Sequence, residues 1–419
     1  MLRPEFLINH RIPIWVLITG NVRSGREFRR VFKQVVDLRQ RGLVDGIRLA
    51  TWKGELEQVP GLEQALTDAG ISILTIEAPP VDPKLHPLFH GYIYHQRKAL
   101  HFALKSLPSN SFVLKTRTDF SEERFDSMVA ALFGNPSLKL DVDISSPILQ
   151  TRLFSYDARP DYLFYWDDIV FSGMRDDLLQ FNNFDIACEY IHPGHLSPPE
   201  SRLFAPLFLK HYPILQWFFE NIHGERFACL LQRWFVSGGQ VLLPVLVRDV
   251  LASYFHILSR YVVLPDGGRG SDAPICLQSF FSPNQDLGVK MFSHPWASHK
   301  LFSQCLLDRL RGPGDFADGN LAALVASMHR MDLDVAYRGA LPPDFEACLR
   351  EFDDFSRHFG CESLVEQARL IPAAQTFPNH PGNLLDDVEM PEKRHLSWWQ
   401  QKKLGARRTA ASWLLRKLL

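Results

Sequence analysis

From Ile12 to Leu132 the apolar positions change period repeatedly, from strand-like runs to helical spacing and back. Ile12–Thr19 is an apolar run of strand length. After the loop "GNVRSG", Arg26–Arg39 sets Phe28, Val31, Phe32, Val35 and Leu38 at helical spacing, with Ser24 and Glu27 at capping-box distance. Gly46–Trp52 follows an Asp45-Gly46 turn signal and predicts a second strand. A short helix over Leu62–Asp68 ends at Gly70, and Ile71–Pro80 predicts a third strand stopped by prolines. Tyr94–Leu107 predicts a helix with Leu100, Ala103, Leu104 and Leu107 on one face. Ser111–Leu114 opens a fourth strand that runs on to Asp119. Ser121-Glu122-Glu123 then starts a helix whose inner face is Phe125, Met128, Val129 and Leu132, with acids in the turn that suits them.

Four strand–helix alternations predict an α/β fold: a Rossmann-type, mostly parallel sheet flanked by helices, with the fourth strand central. Beyond Leu132 the regularity fades. "LKLDVDISSPI" and Tyr162–Gly173, "YLFYWDDIVFSG", predict further strands, and a Pro- and His-rich loop opens a mixed, helix-rich second half. Composition and pattern divide the chain into an α/β region over 1–190, a helix-rich region over 191–371, a linker over 372–392 and a basic amphipathic helix over 393–419.

The 419 residues, 46 % of them hydrophobic, suffice for a substantial core. Lys and Arg number 46 against 47 Asp and Glu, so no global field recruits nucleic acid. The six cysteines form no C-x-x-C pair and lie among apolar neighbours, which predicts buried free thiols in a reducing compartment. The amino-terminal stretch has no cleavage-site pattern, and no apolar run reaches the ~18 residues that span a bilayer. These features predict a cytoplasmic protein without a membrane-crossing helix.

Candidate chemistry concentrates in "VLKTRTD", Val113–Asp119. Residues i, i+2 and i+4 of a strand share a face, so Lys115, Arg117 and Asp119 converge at its carboxyl end. Ligands of open α/β sheets bind at such ends. Asp119 could hold a divalent cation, Mg2+ or Mn2+, and Lys115 and Arg117 could contact phosphate. A plain Arg117–Asp119 salt bridge is the competing account. Gln96 and Arg97, in "HQRKAL", fall at the predicted start of the preceding helix, where an anion is welcome, or on a solvated helix face. Gly20 and Arg23 belong to the first strand–helix loop, which suits a nucleotide or a mere tight turn. Asp168, inside the predicted aromatic strand, and Glu200, after Pro198-Pro199, are candidate general bases. His192 and His195 are lesser options, and Asp141 and Asp143 form a D-x-D spacing; capping or surface roles would suit all these acids as well.

The elements "TWKG", which contains Trp52, "HQRKAL", "FVLKTRTDF", "WDDIVFSG" and "SPPES" together resemble the WavE-type glycosyltransferases of lipopolysaccharide and capsule synthesis. The resemblance spans Ile14–Leu207, about half the chain. It implies a GT-A-like fold, a nucleotide-sugar donor, and a glycan or lipid-linked acceptor. It implies a nucleotide-sugar-binding role for 1–190 and an acceptor side for 191–371, and puts Asp119 where a D-x-D acid meets metal or diphosphate. Gly20, Arg23, Trp52, Gln96, Arg97, Lys115 and Arg117 are then the candidate donor-side residues beside it. "RTD" offers one carboxylate where D-x-D offers two. The chemistry is therefore either metal-assisted at Asp119 or metal-independent, with Arg117 and Lys115 replacing the cation. A catalytically inactive GT-A-like subunit that binds glycan or scaffolds an assembly is the alternative function.

The last segment has no acid after Glu392. Lys402, Lys403, Arg407 and Arg408 punctuate Trp398, Trp399 and Trp413, the composition of a helix lying on an anionic membrane surface. A helix docked on the protein itself would share that composition. An enzyme elongating a lipid-linked glycan would use the segment to remain peripheral to the inner membrane.

Overall fold

A computed structural model describes residues 1–22, 25–58, 61–77, 91–119, 122–140, 142, 148–156, 158, 163–181, 201–209, 211–221, 227, 230–231, 244–264 and 345–359. A short helix α1 (Glu5–Asn9), unforeseen in the sequence pattern, precedes β1 (Ile14–Thr19). Next come α2 (Gly25–Gln40), β2 (Gly46–Trp52), α3 (Leu62–Asp68), β3 (Ser72–Ile76), α4 (Gly91–Lys105), β4 (Phe112–Arg117) and α5 (Glu122–Gly134). The predicted alternation is therefore present throughout this half. The second part supplies β5 (Leu153–Ser155), β6 (Phe171–Met174), α6 (Arg175–Phe181), α7 (Ser201–Leu209), α8 (Pro213–Asn221), α9 (Val245–Tyr261), β7 (Val262–Val263) and α10 (Phe345–His358).

The strands form one seven-stranded sheet in the order β3-β2-β1-β4-β6-β5-β7. β1 pairs in parallel with β2 and β4, and β2 with β3. β6 is antiparallel to both its neighbours, β4 and β5, whereas β5 and β7 are parallel. The chain leaves β1 toward β2 and β3, then returns to place β4 on the other side of β1. The connections part between β1 and β4, which makes their carboxyl ends a topological switch point. β4 is the middle strand, as its apolar start requires: Phe112, Val113 and Leu114 are fully buried.

Two apolar layers cover the sheet. Val31, Val35 and Leu38 of α2 and Phe125, Met128 and Leu132 of α5 pack on one face with Val16, Ile18 and Leu114. Leu100, Ala103 and Leu104 of α4 pack on the other, with Leu17, Ala50, Val113 and the helices that follow β6. Alternation along β4 thus turns Val113, Lys115 and Arg117 toward the α4 side. An aromatic cluster lies in this second layer: the Phe164 ring is 5.7 Å from those of Trp166 and Phe208 and 5.2 Å from that of Tyr254.

The predicted strand over Tyr162–Gly173 is realised only at its end. Phe164 takes a φ of +60°, and Trp166 N donates to Phe164 O, so the chain turns where the apolar run suggested extension. Asp167 and Asp168 consequently sit in the turn before β6, not inside a strand. The described part of "LKLDVDISSPI" is also not a strand; β5 forms a few residues later. The boundary at 190 crosses a shared core, because β7 completes the sheet and residues on both sides of 190 fill one apolar layer. Among the described residues, no helix is long and apolar enough to cross a membrane.

Candidate functional site

β4 carries charge out of the core in two steps. Lys115 is completely buried, and its Nζ donates to the main-chain oxygen of Asp168 and, at 3.1 Å, to that of Ile169. It also lies 4.9 Å from the ring centre of Phe171, its register partner on β6. Burial lowers the Lys115 pKa to about 7, with the Asp168 carboxylate opposing that change. Two residues on, Arg117 is partly open to solvent. Its Nε donates to Asp119 Oδ1 at 3.0 Å, and its Nη1 stands 3.6 Å from Asp168 Oδ2.

The turn before β6 meets this strand end because β6 runs in the opposite direction to β4. Gln96, from α4, donates through Nε2 to both the main-chain oxygen and Oδ2 of Asp168, each at 3.0 Å. Asp168 is thereby held from two elements, α4 through Gln96 and β4 through Lys115 and Arg117. Asp167 belongs to a different set. Its Oδ1 accepts from Arg124 Nη1 at 2.8 Å and from Ile169 N at 2.9 Å, while its own N donates to Ser155 Oγ at 3.2 Å. Burial raises the Asp167 pKa, Arg124 counters the rise and the neighbouring Asp168 adds to it.

The loop after β1 is sewn to the end of β4. Thr118 N donates to Thr19 O at 3.3 Å, and Thr118 Oγ1 donates to Asn21 O. Gly20 has a φ of +116°, and a Cβ there would stand 3.3 Å from Thr118 Oγ1. Glycine is therefore required at Gly20 for its backbone conformation and for the closeness of the two loops. Trp52 ends β2, half-buried against the apolar layer on the α4 side.

The fold thus joins Gln96, Lys115, Arg117, Asp119 and Asp168 in one connected group, with Gly20 linked to it through Thr118. Trp52 ends β2, separated from β4 by β1 in the sheet. Arg23, Glu200, Asp141, Asp143, His192, His195 and the whole 393–419 segment lie outside the described residues. Two expectations need correction. Lys115 is enclosed by main-chain carbonyls and an aromatic ring, so it is not placed to contact a donor phosphate. Helix α4 begins at Gly91, more than a turn before Gln96 and Arg97, so the unpaired amides of its first turn are not beside them. Arg97 is buried rather than on a solvated face.

Several participants were not anticipated. Arg124 occupies the first turn of α5, where a cation opposes the helix dipole, and that mismatch is the signal for a carboxylate partner such as Asp167. Asp177, buried in α6, accepts from Gln150 N at 2.9 Å, Thr151 N at 2.8 Å and Thr151 Oγ1 at 2.9 Å. It fixes the segment leading into β5. Its pKa is raised by burial, against the pull of those three donors.

A resident divalent cation fits poorly at the described residues. Asp119 Oδ1 is bonded to Arg117, whose guanidinium also faces Asp168, so a positive group already lies between the two carboxylates. Among the described residues, no group of three or more His, Cys, Asp or Glu side chains could hold a metal ion. No family model matches the sequence, and no curated protein or solved structure matches the chain.

Proposed function

We propose that the protein is a GT-A-like glycosyltransferase. In this reading it moves a sugar from a nucleotide-sugar donor to a lipopolysaccharide, capsule or other surface-glycan acceptor. The observation that carries the proposal is the meeting of Arg117, Asp119, Asp168 and Gln96 at the carboxyl end of β4, beside the β1–β4 switch point. The sheet order, with β6 alone reversed between β4 and β5, supports the GT-A-like assignment. The resemblance of "HQRKAL", "FVLKTRTDF" and "WDDIVFSG" to the WavE-type enzymes supports the choice of reaction.

Arg117 is assigned to the donor diphosphate and Asp119 to holding Arg117 in place. As the sugar C1–O bond breaks, its electron pair leaves with the diphosphate, and a guanidinium beside it offsets the growing charge. An acceptor hydroxyl oxygen bonds to C1, and its proton passes to Asp168. The basic, Trp-rich segment over 393–419 would hold the enzyme against an anionic membrane, where a lipid-linked acceptor is found.

The test is nucleotide release from a panel of nucleotide sugars by purified full-length protein, with and without lipid-linked acceptor. Release of nucleotide that depends on Arg117 and Asp168 supports transfer. The alternative, an inactive glycan-binding or scaffolding subunit, draws on the closed Arg117–Asp119 pair. Glycan binding without nucleotide binding or release would establish that alternative instead.

A further inference from the structure

We propose that Lys115 is a positioning residue: its buried amine clamps the Asp167–Asp168 turn and thereby sets the location of the Asp168 carboxylate, without touching donor or acceptor. This rests on the glycosyltransferase reading for the role of Asp168, but the clamp itself is a statement about geometry. The first argument is enclosure. Lys115 is fully buried, and its Nζ is occupied by the main-chain oxygens of Asp168 and Ile169 and by the Phe171 ring.

The second argument is what the turn would lose. Asp168 and Ile169 precede β6, so among the described strands their carbonyls have no ladder partner; the β4–β6 register begins at Lys115↔Phe171. Lys115 reaches across that first pair to the carbonyls beyond it. Asp168 O receives a second donor, Gln96 Nε2, which also takes Asp168 Oδ2. Main chain and side chain of one residue are thus fixed from two elements, β4 and α4. A buried cation is a costly way to hold two carbonyls, since burial itself disfavours its charge. Methionine would fill similar volume at lower cost, so volume alone does not account for a lysine here.

Three measurements on full-length protein test the clamp. Amine-directed labelling read by mass spectrometry should leave Lys115 unmodified and Lys53, with 70 % of its side chain exposed, modified, whether or not nucleotide sugar is present. Labelling of Lys115 that a nucleotide sugar suppresses would overturn the proposal, because the amine would then face the donor. In Lys115→Met, amide hydrogen exchange should quicken at least ~10-fold at residues 167–170 and stay unchanged in β1 and β2. Unchanged exchange at 167–170 would also overturn it. In the same variant, kcat should fall on the order of 100-fold, as for a small misplacement of a reacting group, while donor KM stays within about threefold. A rise in donor KM matching the fall in kcat points to phosphate contact and rejects the clamp. If Lys115→Met does not fold, the labelling result on the native protein decides. If the native protein transfers no sugar, labelling and exchange still decide the clamp, and only the glycosyltransferase reading fails.

Discussion

Arg117 and Asp119, two residues apart at the end of β4, are bonded to each other, Nε to Oδ1 at 3.0 Å. The pair is lopsided. Asp119 is buried, whereas 24 % of the Arg117 side chain remains exposed. An acid that orients a guanidinium leaves the cation's outer edge for a ligand. Asp119→Asn keeps an oxygen for Nε but removes the charge. Nucleotide release should fall on the order of 100-fold, the usual scale for losing one preorganised electrostatic group. Stability should drop by only about 1–2 kcal/mol, the scale of a hydrogen bond to a charged group. Chemical denaturation and turnover on the same preparation check both. A stability loss with unchanged turnover per folded molecule would reduce the pair to a structural salt bridge.

The same pair bears on metal. With Arg117 standing between Asp119 and Asp168, full turnover is expected in excess EDTA and in added Mg2+ or Mn2+ alike. Arg117→Gln, which removes the cation, should lose turnover that added Mg2+ or Mn2+ does not restore. Loss of wild-type activity in EDTA, restored by either ion, would assign the charge neutralisation to a metal.

Lys115 makes stability depend on pH in a stated direction. Burial lowers its pKa to about 7; Asp168, Asp167 and Asp119 favour the ammonium and Arg117 disfavours it. Between about 7 and the usual 10.5, the unfolded chain holds a proton that the folded chain has released. This group therefore adds stability as pH rises through that window and exacts its full penalty below it. A neutral amine keeps two N–H groups, one for each carbonyl, so the clamp survives deprotonation. Denaturant midpoints at pH 7 and pH 9 should diverge less in Lys115→Met than in the native protein. An identical divergence would place no titration at Lys115.

Asp177 is expected to matter for stability alone. Asp177→Ala leaves two amides and the Thr151 hydroxyl without their acceptor in a buried setting, which costs about 3 kcal/mol or more. Activity per folded molecule should persist, because Asp177 holds the approach to β5 and not the end of β4. Melting temperature and specific activity separate the two effects.

The 393–419 segment predicts reversible binding to anionic liposomes. The charge contribution is screened over a Debye length of about 8 Å at physiological ionic strength, so high salt should weaken binding without abolishing it. The tryptophans and leucines supply the part that salt does not reach. Deleting Lys393–Leu419 should abolish liposome binding and spare nucleotide release. Unfolding of the shortened chain would assign the segment to the core.

What the sequence disclosed follows the range of the interactions. Gly46–Trp52 and Leu62–Asp68 have the bounds expected, because period and turn residues are local properties. The shared face of Lys115 and Arg117 was legible for the same reason. Depth was not: a period of two says which way a side chain points, but not that Lys115 would be sealed by carbonyls from a turn fifty residues away. The aromatic run around Asp168 read as a strand because nothing local announces that Phe164 will adopt a left-handed backbone. The acceptors of Arg124 and the donors to Asp177 come from distant segments, and β5 and β7 are too short to carry a period.

β7 has only two residues, yet it gives β5 its second neighbour. A chain still emerging from the ribosome displays Asp119 and Asp168 well before Val262 and Val263 are made. During that interval β5 is a bare edge, and the rings of Phe164 and Trp166 lack Tyr254, which belongs to the later helix. Unpaired edges and uncovered rings are what chaperones bind and what aggregation propagates. Protein synthesis that stalls between β6 and β7 should therefore yield an insoluble fragment, even though that fragment holds most of the residues assigned to the chemistry.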